Sequence, residues 1–204
     1  MRELYNNDKK MMIGIICLLI VIAGMFGFVY EFFFYYLNSG MKEFYYRGSN
    51  FLPWINIYAI GAMLIYLLTY KDRKSPWKVF LKSAIICGIL EYIAGYFMYK
   101  LFAFRCWDYN TEILNFGNIN GFICLRSVLF FGISSLMFIY IIIPFVLYLS
   151  KHMNRKMFLI ISISLCFIVL ADELYNLVIA RIVDMPRASD IYKSIGFKYM
   201  NFKS

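Results

Sequence analysis

Five long apolar stretches limit what this chain can fold into. Short charged loops separate them, and they cover residues 11–37, 51–70, 77–104, 121–150 and 157–183. Each reaches the ~20 residues that an α-helix needs to cross the ~30 Å hydrocarbon core of a bilayer. Since backbone groups in lipid must be satisfied within the spanning segment, the stretches predict helices. The predicted fold class is therefore all-α, a polytopic helical membrane bundle with about five transmembrane helices.

Little of the chain is left for anything else. The sequence is 62% hydrophobic, and its loops are too short for a soluble domain. We therefore expect residues 1–204 to form a single integral membrane domain, with residues 184–204 as a polar basic tail. Three basic residues precede the first stretch, as in a signal peptide, but its 27 residues exceed the ~7–15 of a signal core and no small-x-small cleavage site follows. We interpret it as a retained first helix.

Lysine and arginine in the connecting regions predict the orientation. Eleven of them lie in the N-terminal segment and in the second and fourth connections, against four in the first and third. Cytoplasmic loops carry the excess of basic residues, so the N-terminus is predicted to be cytoplasmic, in the cell (plasma) membrane. Five further basic residues, from Arg181 onward, would then lie outside. Either the tail departs from the rule, or the last acidic segment does not fully cross.

Acidic residues inside the apolar stretches are the first candidates for function. Glu31 lies in the first stretch, Glu91 about 20 Å along the third, and Asp172 and Glu173 in the fifth. A charge at bilayer depth costs on the order of 3 kcal/mol unless it is partnered, so such a residue indicates a functional site. The alternative is that these acids pair with arginine or tyrosine side chains and only set the helix register.

The loop after the third stretch carries the second group of candidates. Trp107, Asp108 and Tyr109 follow the stretch that contains Glu91, and Asn118 precedes the fourth stretch. The predicted orientation places this loop on the non-cytoplasmic side. We therefore predict a polar substrate- or ion-binding site built from Glu91 and this loop, with Asp172 and Glu173 as secondary intramembrane acids.

Several functional classes lack support in the sequence. The net charge of +9 is scattered over short loops and the tail, so we predict contact with membrane lipids and no nucleic-acid partner. The lone histidine, His152, lies in a basic loop, and the five cysteines form no CxxC pair, so we predict no metal and no cofactor. A disulfide between Cys106 and Cys124 and free thiols at both positions remain open.

A family resemblance enters through two groups of motifs. The first group lies in the first two stretches and the loop between them: Glu31, Tyr46-Arg47-Gly48, Pro53-Trp54, Ile57-Tyr58 and Gly61-Ala62. The second runs from the third stretch to the fourth: Glu91, Met98 to Phe102, Cys106 to Tyr109, Asn118 to Leu125 and Pro144. Over about residues 25–150 the chain resembles a family of small bacterial integral membrane proteins named as ABC-transporter permeases of type IV.

The resemblance implies further site residues and two departures. Glu31, Arg47 and Tyr58 match the family pattern and join the predicted binding residues as companions from the first half. Tyr99 stands where the family carries Glu, and Phe122 stands where it carries Arg. An acid and a base replaced together indicate an ion pair removed as a unit, which leaves no unpaired charge. This chain is therefore expected to be a divergent member.

The family implies a transport component, either an ABC-type permease or a small substrate-binding membrane subunit. The sequence contains no GxxxxGK[ST] motif, so this interpretation implies a separate ATPase subunit as partner. Two alternatives stay open, a membrane-embedded enzyme acting on lipid or cell-envelope substrates and a non-catalytic scaffold or regulatory subunit. We do not favour an enzyme, because no Ser-His-Asp or metal-ligand set can be assembled. The oligomeric state and the substrate are not predicted.

Overall fold

A computed structural model describes residues 8–48, 50–103, 105 and 107–198. Within these residues the chain forms six helices and no β-strand, which confirms the all-α class. Two helices contain a π-helical turn, at Phe138–Ile142 in the fourth and at Tyr175–Ile179 in the fifth. The helices are α1 Lys9–Asn38, α2 Asn56–Thr69, α3 Pro76–Phe102, α4 Leu125–His152, α5 Arg155–Ile182 and α6 Ala188–Ser194.

Four of the helices are long and apolar enough to cross a membrane: α1, α3 over Pro76–Leu101, α4 and α5. The chain is therefore a multi-pass membrane protein. Helix α2 has 14 residues, and at 1.5 Å per residue it is about 21 Å long, shorter than a typical hydrocarbon core. The predicted number of about five spans thus agrees with four long helices and one short one.

The second helix is shorter than the predicted span of 51–70 because the chain before it is not helical. Pro53 has no backbone N–H to donate. The N–H groups of Phe51 and Leu52 donate instead to the carboxylate of Asp172 in α5, at 3.1 and 2.8 Å. Irregular backbone at membrane depth is tolerated where other groups of the protein satisfy its hydrogen bonds. The segment 50–55 is therefore held by a side chain rather than by a helix.

Local features also move the start of α4. The predicted span began at residue 121, whereas the helix begins at Leu125. Gly121 has a φ of +76°, and the backbone N–H of Ile119 donates to the carbonyl of Ile123 at 2.9 Å, so this part of the chain turns before the helix. Further along, Pro144 cannot donate to the carbonyl four residues earlier, and a π-helical turn precedes it.

The described residues form two compact units, 8–63 with 141–198 and 64–140. In the first unit, α1 packs on α5, and its glycines make room for aromatic rings: Gly24 lies against Trp54, and Gly27 against Tyr58. Small residues allow such close approach in membrane helices. In the second unit, α3 packs on the first part of α4, where Gly132 lies against Phe80. A single domain over residues 1–204 stays a prediction.

The described part of the tail is ordered within the first unit. It contains α6, whose first residue, Ala188, is buried and donates its backbone N–H to Asn176 Oδ1 at 2.7 Å. The carbonyl of Lys198 accepts the backbone N–H of Tyr46 at 3.0 Å, so the tail lies beside the loop after α1. Helix α5 is long enough to cross, which is compatible with a tail on the outer side. The orientation itself stays a prediction.

Candidate functional site

Glu91 lies on α3 and is held by two hydroxyl groups. The Tyr109 hydroxyl donates to Oε1 at 2.5 Å, and the Ser127 hydroxyl donates to Oε2 at 2.8 Å. Tyr109 belongs to the loop after α3, and Ser127 to the first turn of α4. Among the described residues Glu91 makes no ion pair. The sequence therefore located the acid and one of its donors, Tyr109, and missed Ser127.

Tyr109 is suited to donate to a carboxylate. Its side chain is buried. Burial raises the pKa of Tyr109 well above its ordinary value, and the charge of Glu91 raises it further. The phenol therefore stays protonated across the physiological range and keeps its donor hydrogen on Glu91.

The other predicted residues of this loop, defined here as loop three (residues 103–124), build its frame. Trp107 donates its indole N–H to the carbonyl of Phe122 at 2.9 Å. Asp108 Oδ1 accepts the backbone and side-chain N–H groups of Asn110 at 3.1 and 2.7 Å. Asn118 accepts the backbone N–H of Gly121 at 2.9 Å. These three predicted residues hold the shape of the loop. Of the four loop residues predicted for the site, only Tyr109 donates a hydrogen bond to Glu91.

A buried ion pair lies next to Tyr109, and the sequence interpretation did not include it. Arg126 of α4 pairs with the carboxylate of Glu112, which is only 6% exposed. The Arg126 guanidinium carbon also lies 5.2 Å from the centre of the Tyr109 ring, at cation–π distance. Glu112 and Arg126 are 14 residues apart, and one lies in a loop, so no helical periodicity predicts their contact. The pair forms because the loop folds over the start of α4.

The two departures from the family pattern are in contact. The rings of Tyr99 and Phe122 lie 5.9 Å apart. The guanidinium carbon of Arg105 lies 4.8 Å from the centre of each ring. Two aromatic rings thus stand at the positions where the resemblance implies a Glu and an Arg, and Arg105 stacks on both of them. This contact is consistent with replacement of a contacting pair as a unit.

In the first unit, Glu31 and Arg47 form an ion pair. Arg47 Nε lies 2.7 Å from Glu31 Oε2, and its guanidinium carbon lies 4.2 Å from the centre of the Tyr35 ring. Burial opposes the charged form of Arg47, but the Glu31 carboxylate, together with Tyr35 and Tyr58, outweighs it and raises the pKa of Arg47 above its ordinary range. Tyr58 lies on α2 with its ring against Gly27. The alternative interpretation, that an intramembrane acid pairs with an arginine, describes Glu31.

Asp172 and Glu173 hold the segment 50–56 rather than face an open space. Asp172 accepts the backbone N–H groups of Phe51 and Leu52. Glu173 accepts the side-chain amides of Asn50 at 2.6 Å and Asn56 at 2.5 Å. All four donors are neutral, so these carboxylates act here as hydrogen-bond acceptors for irregular backbone and for amides.

The chemistry that these groups offer is hydrogen bonding and charge pairing. Within the described residues no group of three or more His, Cys, Asp or Glu side chains is placed to hold a metal ion. Cys17, Cys87, Cys124 and Cys166 are free thiols, and Cys106 lies outside the described residues. Glu91 with its two hydroxyls offers a carboxylate that can accept a cation, a proton or an N–H donor.

Comparison with known proteins identifies the family. No curated protein and no solved structure matches the chain. The profile of the family described as Putative ABC-transporter type IV matches residues 18–177. This range contains α2, α3 and α4 and most of α1 and α5, and all ten predicted site residues fall within it. With four helices among the described residues that are long and apolar enough to cross a membrane, the chain is a transport-related multi-pass membrane protein and belongs to the ABC-transporter type IV family.

Proposed function

We propose that this protein is the membrane component of a transporter, with a polar site at Glu91 that is open to the non-cytoplasmic side. The observation that carries the proposal is the Glu91 carboxylate, which lies in a membrane-spanning helix and is held by hydroxyl groups alone among the described residues. An acid without an ion-pair partner in a membrane-spanning helix is costly, which supports a functional role for Glu91. Glu31, by contrast, already has its charge neutralised by Arg47.

The solute that fits this site is a small cation or a solute with an amine group. Both oxygens of Glu91 accept hydrogen bonds, and the hydroxyl oxygens of Tyr109 and Ser127 keep lone pairs for a further donor or cation. A positive solute would replace the missing counter-charge. Glu91 is thus the binding residue, and Tyr109 and Ser127 orient its carboxylate.

Energy for transport would come from a second chain. The sequence contains no GxxxxGK[ST] motif, and the family name implies an ABC system. We propose an ATPase subunit that contacts the basic connections on the cytoplasmic side, with the N-terminus on that same side of the plasma membrane. Affinity purification of the full chain from its native membrane, followed by mass spectrometry, would identify this subunit.

Binding is tested on the full chain in phosphatidylcholine nanodiscs. The melting temperature is measured with a panel of alkali cations, divalent cations and small amines, because a bound ligand stabilises the folded state. At least one should raise the melting temperature of the wild type and of the control Glu43→Gln, which removes a charge from an exposed loop. Glu91→Gln should lose the response. A response that survives in Glu91→Gln, or its absence in the wild type, contradicts the proposal.

The orientation has a separate test. Thr111 is exposed in loop three. Thr111→Cys should react in intact cells with a maleimide that cannot cross the membrane, whereas Lys74→Cys in the connection between α2 and α3 should react only after the cells are opened. The reverse pattern would place Glu91 nearer the cytoplasmic side.

A further inference from the structure

We propose that loop three inserts an apolar tip into the interfacial region of the lipid bilayer, in the leaflet where α4 begins. The apolar tip is defined by four exposed apolar residues of the loop: Ile113, Leu114, Phe116 and Ile119. Its partner is the phospholipid surface itself. This inference does not depend on what Glu91 binds or on which side of the membrane the loop lies.

Around the apolar tip, the polarity of loop three is inverted relative to a loop in water. Its acid Glu112 is 6% exposed and neutralised by Arg126, whereas Leu114, Phe116 and Ile119 are 54%, 63% and 53% exposed. A soluble loop would bury the apolar side chains and expose the acid. Four large apolar side chains within seven residues form a patch that calls for a partner.

The apolar tip continues a surface that lipid already covers. The backbone carbonyl of Phe116 accepts the N–H of Leu125, the first residue of α4, at 2.8 Å. From there Leu125, Leu129 and Ile133 follow at four-residue intervals on one face of α4, and all three are exposed. Helix α4 is long and apolar enough to cross the bilayer, so this face meets lipid. The tip extends the same stripe beyond the end of the helix.

The tip is held rigidly enough to act as an anchor. The side-chain amide of Asn115, in the middle of the tip, donates to the carbonyl of Tyr109 at 3.0 Å. Leu114 has a φ of +55°, a left-handed conformation that a leucine adopts only under strain. In water, glycine or asparagine would suit this position better. A leucine that is strained and exposed is understandable if lipid covers it.

Lipid fits this surface better than a second protein does. A protein-binding patch usually has a polar rim that separates it from the surrounding surface. Here the apolar tip runs directly into the lipid-facing stripe at Leu125, so the same solvent covers both. Side chains of this kind bind at the boundary between headgroups and acyl chains, where apolar area is buried about 5–10 Å deep.

The test adds one tryptophan to the full chain and compares its emission with that of the wild type, which contains three. Phe116→Trp places the probe on the tip, and Lys74→Trp, in the exposed turn before α3, is the matched control. The proteins are reconstituted in nanodiscs of phosphatidylcholine and phosphatidylglycerol, with or without brominated acyl chains, because nanodiscs leave both membrane faces open to iodide. The added emission of Phe116→Trp should be quenched by bromolipid and protected from iodide by roughly twofold relative to Lys74→Trp, as expected for an interfacial side chain.

One result would overturn the inference. If iodide quenches Phe116→Trp as strongly as Lys74→Trp and bromolipid leaves it unchanged, the tip faces water and would instead serve a protein partner. Ile119→Trp repeats the measurement on the other side of Gly117, and it decides the question if Phe116→Trp loses helical circular dichroism. Both probes carry the same expectation, because both side chains belong to the tip.

Discussion

Removing the charge of Asp172 should release the irregular segment before α2. Its carboxylate accepts the N–H groups of Phe51 and Leu52 at 3.1 and 2.8 Å, together with the side-chain amide of Asn176 at 2.8 Å. In Asp172→Asn one oxygen becomes an N–H donor that faces a backbone N–H. At least one hydrogen bond to a charged group is lost and one buried donor is left unsatisfied.

The expected cost follows from that count. A hydrogen bond to a charged group contributes about 1.5–3 kcal/mol and an unsatisfied buried donor costs about 1–3 kcal/mol, so we expect a loss of about 2.5–6 kcal/mol. For a chain of this size, 1 kcal/mol shifts the melting temperature by about 2–4 °C. The melting temperature of Asp172→Asn should therefore fall by at least about 5 °C, on the same conversion.

The assay is thermal melting of the detergent-solubilised full chain, in which size-exclusion chromatography measures the folded fraction left after heating. Asp184→Asn is the matched control, because Asp184 is exposed near the end of α5 and the same substitution removes the same charge. Hydrogen exchange at Phe51 and Leu52 should accelerate in Asp172→Asn and stay unchanged in the control. Equal melting temperatures for the two variants, with unchanged exchange, would refute the role given to Asp172.

Two further predictions concern the first unit. Glu31→Gln should destabilise the protein by about 3 kcal/mol because it leaves the buried Arg47 without its carboxylate, and adding Arg47→Met should restore much of the loss, which a double-mutant cycle of melting temperatures measures. Additive losses would contradict pairing. Gly24→Ala should cost about 1–3 kcal/mol because its new methyl group overlaps the indole of Trp54. Gly61→Ala, with open space around it, should leave the melting temperature unchanged or raise it, and equal losses at both glycines would exclude the packing argument.

The spans were predictable because the bilayer acts as a uniform solvent. A continuous apolar stretch of sufficient length predicts a membrane-spanning helix, whatever that helix packs against. The first, third, fourth and fifth stretches agree with α1, α3, α4 and α5 to within a few residues. The second stretch was less predictable, because its first five residues are apolar yet not helical. Two of them, Phe51 and Leu52, donate their backbone N–H groups to the side chain of Asp172, more than a hundred residues away.

The candidate site was predictable in its residues and not in its contacts. Glu91 and Tyr109 were both singled out, and they are joined by a hydrogen bond. Ser127 was missed, since a serine in the first turn of an apolar helix carries no functional signal of its own. Glu112 was missed for a different reason, because a charged residue in a loop ordinarily faces water.

Sequence alone thus determined that the chain lies in a lipid bilayer, where its long helices are, and which acidic residues lie inside the apolar stretches. It could do so because hydropathy and charge are properties of each residue. The tertiary structure decided which partner each acid has: arginine for Glu31, hydroxyls for Glu91, and backbone and amides for Asp172 and Glu173. It also decided that the four apolar side chains at the tip of loop three face outward. Hydrogen bonds and burial depend on the distance between atoms that are far apart in the chain, and only the folded chain sets those distances.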